Sequence, residues 1–302
     1  MGCFHPLHGF KTAKGQWTSQ WPNNLHTAEP MTVPCRQCTG CRAEYSRQWA
    51  MRIMHEASLS PTKTNSFITL TYNDAHLPPN NSLVKKDFQL FMKRLRKNHT
   101  KKIRYYHCGE YGENFKRPHY HAIIFNHSFK QQELQEVWSL NKKPIGFVDT
   151  GDVTFESAAY VAAYVQKKIN GKAKYEHYKL PQPVIDYDTG EYITHKQQEY
   201  STMSRRPGIA KNWFDKYKTD AYPSDFITVN GRKMKPPKYY DRQYELLTKE
   251  EREILCLPPM EQIKEKRQKE MEQLQHLFTP EALKQQELNH KARMAIYKRG
   301  KL

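Results

Sequence analysis

An α+β fold built on a largely antiparallel sheet is what this sequence predicts, from three observations. Between residues 66 and 169, runs of β-branched and aromatic residues alternate with runs of helical period, in the order strand, helix, strand, strand, helix, strand, helix. The middle pair of strands is joined by Gly112-Glu-Asn-Phe-Lys-Arg-Pro118, a hairpin-type connection that makes them antiparallel. The helical runs carry core-facing apolar stripes, which places the helices on one face of the sheet.

Taken in order, residues 1–60 hold a cysteine cluster and then a helix at 44–58, where Tyr45, Trp49, Ile53 and Ala57 recur every four positions. Residues 66–72 read as a strand closed by Asn73-Asp74. Residues 87–98 form a basic amphipathic helix, with Phe88, Phe91, Met92 and Leu95 inward and Lys93, Arg94, Arg96 and Lys97 outward. Strands at 103–111 and 119–126 follow, then a helix at 131–140 and a short strand at 146–153. The helix at 155–169 buries Ala158, Val161, Ala162, Val165 and Ile169. Residues 61–175 thus form the sheet-bearing domain. Residues 176–238 are a basic region with two hairpins, around Asp188-Thr-Gly190 and Asn230-Gly231. The tail, 239–302, is polar and helical, and Thr279-Pro280-Glu281 supplies an N-cap, an N1 proline and an acidic first turn.

Lys and Arg outnumber Asp and Glu by 49 to 31, a formal charge of +18, so a polyanion is the natural partner. Nineteen tyrosines and five tryptophans suit stacking on single-stranded bases, although packed cores and interfaces are the ordinary use of any single Tyr. No apolar run approaches the roughly 20 residues of a membrane span, and the N-terminus lacks a hydrophobic segment of signal-peptide type. A cytoplasmic protein with no membrane partner is therefore expected, its six cysteines serving as thiols or metal ligands.

His119 and His121 flank one residue of an apolar strand, so both imidazoles face the same side and can grip one divalent ion. The hairpin folds 103–111 back along that strand, which makes Glu110 the best third ligand and Glu113, in the turn, the second choice. A His-His-Glu set suits Mn²⁺ and other transition ions, and Mg²⁺ where phosphate oxygens complete the shell. Further on, Tyr160, Tyr164 and Lys167 fall at i, i+4 and i+7, one face of a helix. A tyrosine, with an ordinary pKa of about 10, needs a polarised phosphodiester and a nearby cation before it attacks at neutral pH. Lys167 can supply that cation. Two phenols permit two successive transesterifications, one opening a DNA strand and the other closing it. Each element has a bland alternative, a metal-free surface His pair and packed helix tyrosines, but together they point to nicking through a phosphotyrosine.

Phe67-Ile-Thr-Leu-Thr71, Pro118-His-Tyr-His121 and Tyr160-Val-Ala-Ala-Tyr164-Val-Gln-Lys167 resemble the three successive motifs of HUH-endonuclease rolling-circle initiators. The paired tyrosines resemble the microvirus branch. Pro34-Cys-Arg-Gln-Cys-Thr-Gly-Cys-Arg42, Thr71-Tyr-Asn-Asp74, Gly109-Glu-Tyr-Gly112 and Met203-Ser-Arg-Arg-Pro-Gly-Ile209 extend the likeness to gokushovirus-type replication initiators, over residues 3 to 214. The resemblance implies the HUH endonuclease fold, a central antiparallel β-sheet with flanking helices in a ferredoxin/RRM-like palm. It implies metal ligation by His119 and His121 and nucleophilic roles for Tyr160 and Tyr164. Single-tyrosine relatives space Tyr-x-x-Lys, which Tyr164 and Lys167 match, so Tyr164 would open the strand. Position 163 is Ala where some microvirus relatives carry a second lysine, leaving Lys167 and Lys168 as the cations of this helix. The implied setting is the host bacterial cytoplasm, with a 5′-phosphotyrosine formed and a 3′-OH freed for host polymerase. No ATPase or helicase motif is present, so a host helicase would unwind. An HUH transposase or relaxase, a metal-activated-water phosphodiesterase and a zinc-containing protein that binds nucleic acid without cutting are the alternatives.

Cys35, Cys38 and Cys41 offer three thiolates, and Cys3 could complete a tetrahedral site for structural Zn²⁺. His5 is an alternative fourth ligand, and reduced thiols or an iron–sulfur cluster are alternative states. Basic residues suited to phosphates of single-stranded DNA and origin duplex DNA are Lys85-Lys86, Lys93, Arg94 and Lys97, Lys101-Lys102-Ile-Arg104, Arg117, Arg205-Arg206 and Arg232-Lys233-Met-Lys235. A solvated face is the ordinary reading of each run, and Arg205-Arg206, rigidified by Pro207, is the first choice for DNA.

Overall fold

Burial alternates along residues 66–70, with Ser66, Ile68 and Leu70 buried and Phe67 and Thr69 only partly covered, as a strand between two unlike faces requires. The computed structural model describes residues 2–12, 15–20, 29–61, 63–97, 99–164, 173–185, 190–229 and 231–299. The chain divides into two units, residues 48–246 and residues 1–47 with 247–302.

The larger unit is organised on a five-stranded sheet. Its strands are β1 (Ser66–Leu70), β2 (Arg104–Tyr111), β3 (Pro118–Phe125), β4 (Val148–Gly151) and β5 (Tyr200–Met203), in the order β5-β2-β3-β1-β4 with every neighbour antiparallel. The helices that bear on it are α1 (Thr39–Ala57), α2 (Lys85–Lys97), α3 (Gln131–Val137) and α4 (Phe155–Tyr164).

Helices cover both faces of the sheet, not the single face expected. On one side Ile68, Leu70, Tyr120, Ala122 and Ile124 pack with Phe88, Phe91, Met92 and Leu95 of α2, Leu134 of α3 and Trp138. On the other, Trp49 of α1 meets Tyr106 with ring centroids 4.8 Å apart, Glu56 of α1 pairs with Arg104 at 2.5 Å, and α4 lies against β2 and β3. The cause is written in β3. Ala122, Ile123, Ile124 and Phe125 are apolar and buried at successive positions, so neither side of the strand can face water. Burying an Ile or Phe side chain is worth roughly 1.5–3 kcal/mol, a gain an uncovered face would forfeit.

Two other expectations shift. The helix expected over 131–140 stops at Val137, because Asn141 and Lys142 adopt φ of 50° and 65° and close a tight hairpin between Ser139–Leu140 and Lys143–Pro144. The helix expected over 155–169 is described as far as Tyr164; Val165, Lys167, Lys168 and Ile169 lie outside the described residues. The hairpins expected around Gly190 and Gly231 pair Lys179–Ile185 with Tyr192–His195 and Ile227–Val229 with Arg232–Met234. Both glycines take positive φ, 73° and 75°, which favours a residue without Cβ. Asp188 and Asn230 lie outside the described residues.

In the smaller unit, Leu7–Lys11 pairs with Trp17–Thr18 and Glu29–Val33 in a small antiparallel sheet with no counterpart in the sequence reading. Its strands are exposed and lack alternation, which is why periodicity is silent there. Of the tail expected at 239–302, the helix Lys238–Glu245, with Tyr240 and Tyr244 buried, belongs to the larger unit, and three polar helices, Lys249–Ile254, Met260–Gln273 and Pro280–Arg299, follow in the smaller one. Thr279 caps the last of them, its Oγ1 accepting from Ala282 N at 3.2 Å. Among the described residues no helix is long and apolar enough to cross a membrane.

Candidate active site

Strand register positions the candidate ligands. In the β2–β3 hairpin Glu110 stands opposite His119 and Cys108 opposite His121, so the carboxylate and both imidazoles share one face. Glu110 Oε1 lies 2.7 Å from His119 Nε2 and 3.1 Å from His121 Nε2. The three donor atoms fall within 4.8 Å of one another, a span one ion can bridge. Glu113 is in the exposed turn, outside this cluster. Gly112 also matters, because a Cβ there would come within 3.3 Å of His119 Cε1.

The second nitrogen of each ring is held as well. His121 Nδ1 lies 2.9 Å from Thr69 Oγ1, and His119 Nδ1 lies 3.2 Å from the Arg117 carbonyl. Both nitrogens of His119 therefore face acceptor oxygens. Either an imidazolium satisfies that arrangement, or an Nδ1–H donor with a cation at Nε2. Burial pushes the Glu110 carboxyl up, but hydrogen bonds and positive charge from His119 and His121 outweigh it and hold it below the ordinary carboxylate range. A buried anion between two imidazoles is the donor set a divalent ion needs.

Helix α4 brings Tyr160 to this cluster. The Tyr160 ring stands edge-on to His121, centroids 5.3 Å apart at 79°, while Phe67 lies parallel to the same imidazole at 5.8 Å and 9° and meets Tyr160 edge-on at 6.2 Å. Tyr160 is 37% exposed, so a substrate can reach its ring. Tyr164 ends α4, one turn further along the helix. Arg117 ties the turn before His119 to the Thr71–Asp74 segment, donating to Asp74 Oδ1 at 2.6 Å and to the Tyr72 carbonyl at 3.0 Å.

In the smaller unit the sulfurs of Cys3, Cys35, Cys38 and Cys41 converge within 4.8 Å. Cys35–Cys41 and Cys38–Cys3 are 4.0 and 3.9 Å apart, too far for disulfides. Those separations are close to the edge of about 3.8 Å of a tetrahedron with metal–sulfur bonds of about 2.3 Å. Backbone N–H groups of Phe4, Cys35, Cys38 and Cys41 point at the sulfurs at 3.2–3.4 Å. Burial pushes the Cys38 thiol up, but the Cys41 and Phe4 N–H donors and the neighbouring thiols bring it down to about 6. His5 stands apart, paired with Glu287 at 2.9 Å, so Cys3 is the fourth member.

The fold gathers basic runs that are distant in sequence. Pairing of β5 with β2 sets Ser204, Arg205 and Arg206 beside Arg96, Lys101, Lys102 and Arg104 around a cavity of about 530 Å³. Lys102 Nζ donates to the Arg206 carbonyl at 3.2 Å and Arg104 Nη2 to the Pro207 carbonyl at 2.9 Å. Arg104 is buried against Glu56, so the exposed cations of this cleft are Arg96, Lys101, Lys102, Arg205 and Arg206. On α2, Lys93 and Lys97 are exposed as expected. Arg94 is half-buried instead of standing outward, because its Nε donates to the Val137 carbonyl at 2.8 Å.

Similarity to known proteins follows the same geography. A family model described as replication-associated protein ORF2/G2P matches residues 65–169, the stretch carrying β1 to α4 and with it Glu110, His119, His121 and Tyr160. Replication-associated protein ORF2 of Spiroplasma virus 4 is 30% identical, over 89% of this chain and 86% of that protein. The chain belongs to the phage replication-associated protein family. Two further members are replication-associated protein VP4 of Bdellovibrio phage phiMH2K, 29% identical over 81% of this chain and 77% of its own, and ORF4 of Chlamydia phage 1, 28% identical over 74% and 56%. These relatives bear out the resemblance to microvirus-type rolling-circle initiators that the motifs carry. No solved structure matches the chain.

Proposed function

We propose that this replication-associated protein starts rolling-circle replication as a metal-dependent, site-specific single-strand DNA endonuclease and strand-transferase. The observation that carries the reading is the Tyr160 ring 5.3 Å from that of His121, whose Nε2 faces the Glu110 carboxylate. Residues 61–175 are the nicking domain. Glu110, His119 and His121 hold Mn²⁺ or Mg²⁺, whose chemistry there is Lewis-acid polarisation of the scissile phosphodiester.

The protein's own groups do the rest. Glu110 supplies the negative charge of the site, while Thr69 and the Arg117 carbonyl orient the two imidazoles. A tyrosine oxygen attacks phosphorus and loses its proton, the bond to the 3′ oxygen breaks, and that oxygen gains a proton. A 5′-phosphotyrosine and a free 3′-OH result, with phosphodiester number conserved. Tyr164, spaced three residues before Lys167, makes the opening attack. Tyr160 makes the second, and the freed 3′-OH then attacks the phosphorus of a phosphotyrosine, displacing the tyrosine oxygen, which regains a proton, and rejoining the strand. No external energy source is needed.

The basic cleft, with Lys93, Lys97 and Arg117, grips single-stranded and origin duplex DNA through phosphates. Zinc at the four cysteines is structural, and host polymerase and helicase work with the protein in the bacterial cytoplasm. Incubation with an origin oligonucleotide and Mn²⁺ should yield a covalent adduct on a denaturing gel. The double substitution Tyr160→Phe/Tyr164→Phe should abolish it. An adduct that survives in the double variant would exclude this helix as the source of the nucleophile.

A further inference from the structure

A second cluster of imidazoles and a carboxylate stands at the opposite end of β3. His99 follows α2, His127 follows β3, and Glu133 is in the first turn of α3. His127 Nε2 lies 2.9 Å and His99 Nε2 3.7 Å from the same oxygen, Glu133 Oε1, and the three donor atoms fall within 4.8 Å of one another. The donor set and the convergence of both Nε2 atoms on one Oε1 repeat the Glu110–His119–His121 arrangement. His127 is six residues beyond His121. At about 3.3 Å per strand residue, the two clusters are separate, by roughly 15–20 Å.

The side chains are held where they are. The His127 ring stands edge-on to Phe129, centroids 4.4 Å apart at 86°. Ser66 Oγ donates to the His127 carbonyl at 2.8 Å and accepts from Phe129 N at 3.1 Å, which pins the turn between β3 and α3. His99 N donates to the Arg96 carbonyl at 3.3 Å, and its ring meets that of His127 at 4.4 Å and 61°.

Glu133 Oε1 pairs with His127 Nε2 at 2.9 Å, but 3.7 Å is beyond hydrogen-bond range for His99, so a hydrogen bond does not explain why the second imidazole converges on the same oxygen. Donors of a tetrahedral zinc site, with metal–donor bonds of about 2.0–2.2 Å, sit about 3.4 Å apart. The two contacts bracket that spacing.

We infer that His99, His127 and Glu133 form a third metal site, for a borderline divalent ion such as Zn²⁺, separate from the Glu110 centre and from the cysteine cluster. Two imidazoles favour Zn²⁺ or Co²⁺ over Mg²⁺. The ion would clamp the C-terminal end of α2, the end of β3 and the start of α3 to one another.

The test uses the full chain carrying His119→Asn/His121→Asn, which removes the other imidazole centre. Zinc bound after gel filtration is counted by native mass spectrometry. Adding His99→Asn/His127→Asn should leave one fewer zinc ion per chain, with the circular dichroism spectrum retained. An unchanged count overturns the proposal. Should that variant fail to fold, Co²⁺ loaded into the parent provides a second readout. Cobalt bound by nitrogen and oxygen gives visible bands without the sulfur charge-transfer of the cysteine site, and Glu133→Gln should shift or remove them. Bands unaffected by Glu133→Gln, or absent from the parent, also overturn it.

Discussion

Thr69 shows how much one hydroxyl can do at the residue scale. Its Oγ1 sits 2.9 Å from His121 Nδ1, fixing which nitrogen of that ring is left to face Glu110. Thr69→Val keeps the volume and loses the oxygen. Metal affinity, read from the Mn²⁺ dependence of adduct formation, should weaken by about 10–100-fold with little change in melting temperature. An unaltered Mn²⁺ midpoint would remove Thr69 from the site. His55 serves stability instead. It stacks on Trp213 at 3.6 Å, lies 2.7 Å from the Tyr240 hydroxyl, and is held down to about 3 by burial. The unfolded chain takes up a proton near pH 6.5 while the folded state does not, so this contribution is complete above that pH and is lost as pH falls below it. From about pH 7.5 to about pH 5 the loss is about 2 kcal/mol. Denaturant unfolding of His55→Gln should be less acid-sensitive by that amount, with a residual slope from His107, whose burial lowers it too. Equal pH slopes in variant and parent would contradict this assignment.

At the scale of elements, the cysteine cluster joins Cys3, far from the other three in sequence, to the start of α1. Chelation of the zinc proposed there should release that constraint, and limited proteolysis should then cut between Phe4 and Val33. A digestion pattern identical with and without chelator would show that the cysteines hold no structural ion. Helices were the most legible elements, because Phe88, Phe91, Met92 and Leu95 mark α2 by period alone. The β2–β3 hairpin was nearly as clear, since its two strands are neighbours in sequence. β5 escaped notice for the opposite reason. Tyr-Ser-Thr-Met is short and polar, and it becomes a strand only by pairing Tyr200 with Gly109 and Met203 with Tyr106.

For the whole molecule, a charge of +18 predicts salt-sensitive DNA binding, and the fold says which cations act together. Replacing Arg205 and Arg206 by Ala should reduce the slope of log K against log salt by about 1.4 on single-stranded DNA, about 0.7 per lost phosphate contact. A slope equal to the parent's would mean that these arginines touch no phosphate. The Arg205-Arg206 run was visible in the sequence, but its neighbourhood with Lys101 and Lys102 was not, because a cleft between distant segments has no local signature. By itself the sequence determined whatever depends on period. Residues two apart on a strand share a side, as His119 and His121 do, and residues four apart on a helix share a face, as Phe88 and Met92 do. Tertiary structure alone decided that Phe67 and Tyr160 both meet His121, and that helices close both sides of the sheet. Those outcomes rest on strand register and on contacts between remote segments, which local propensity does not encode.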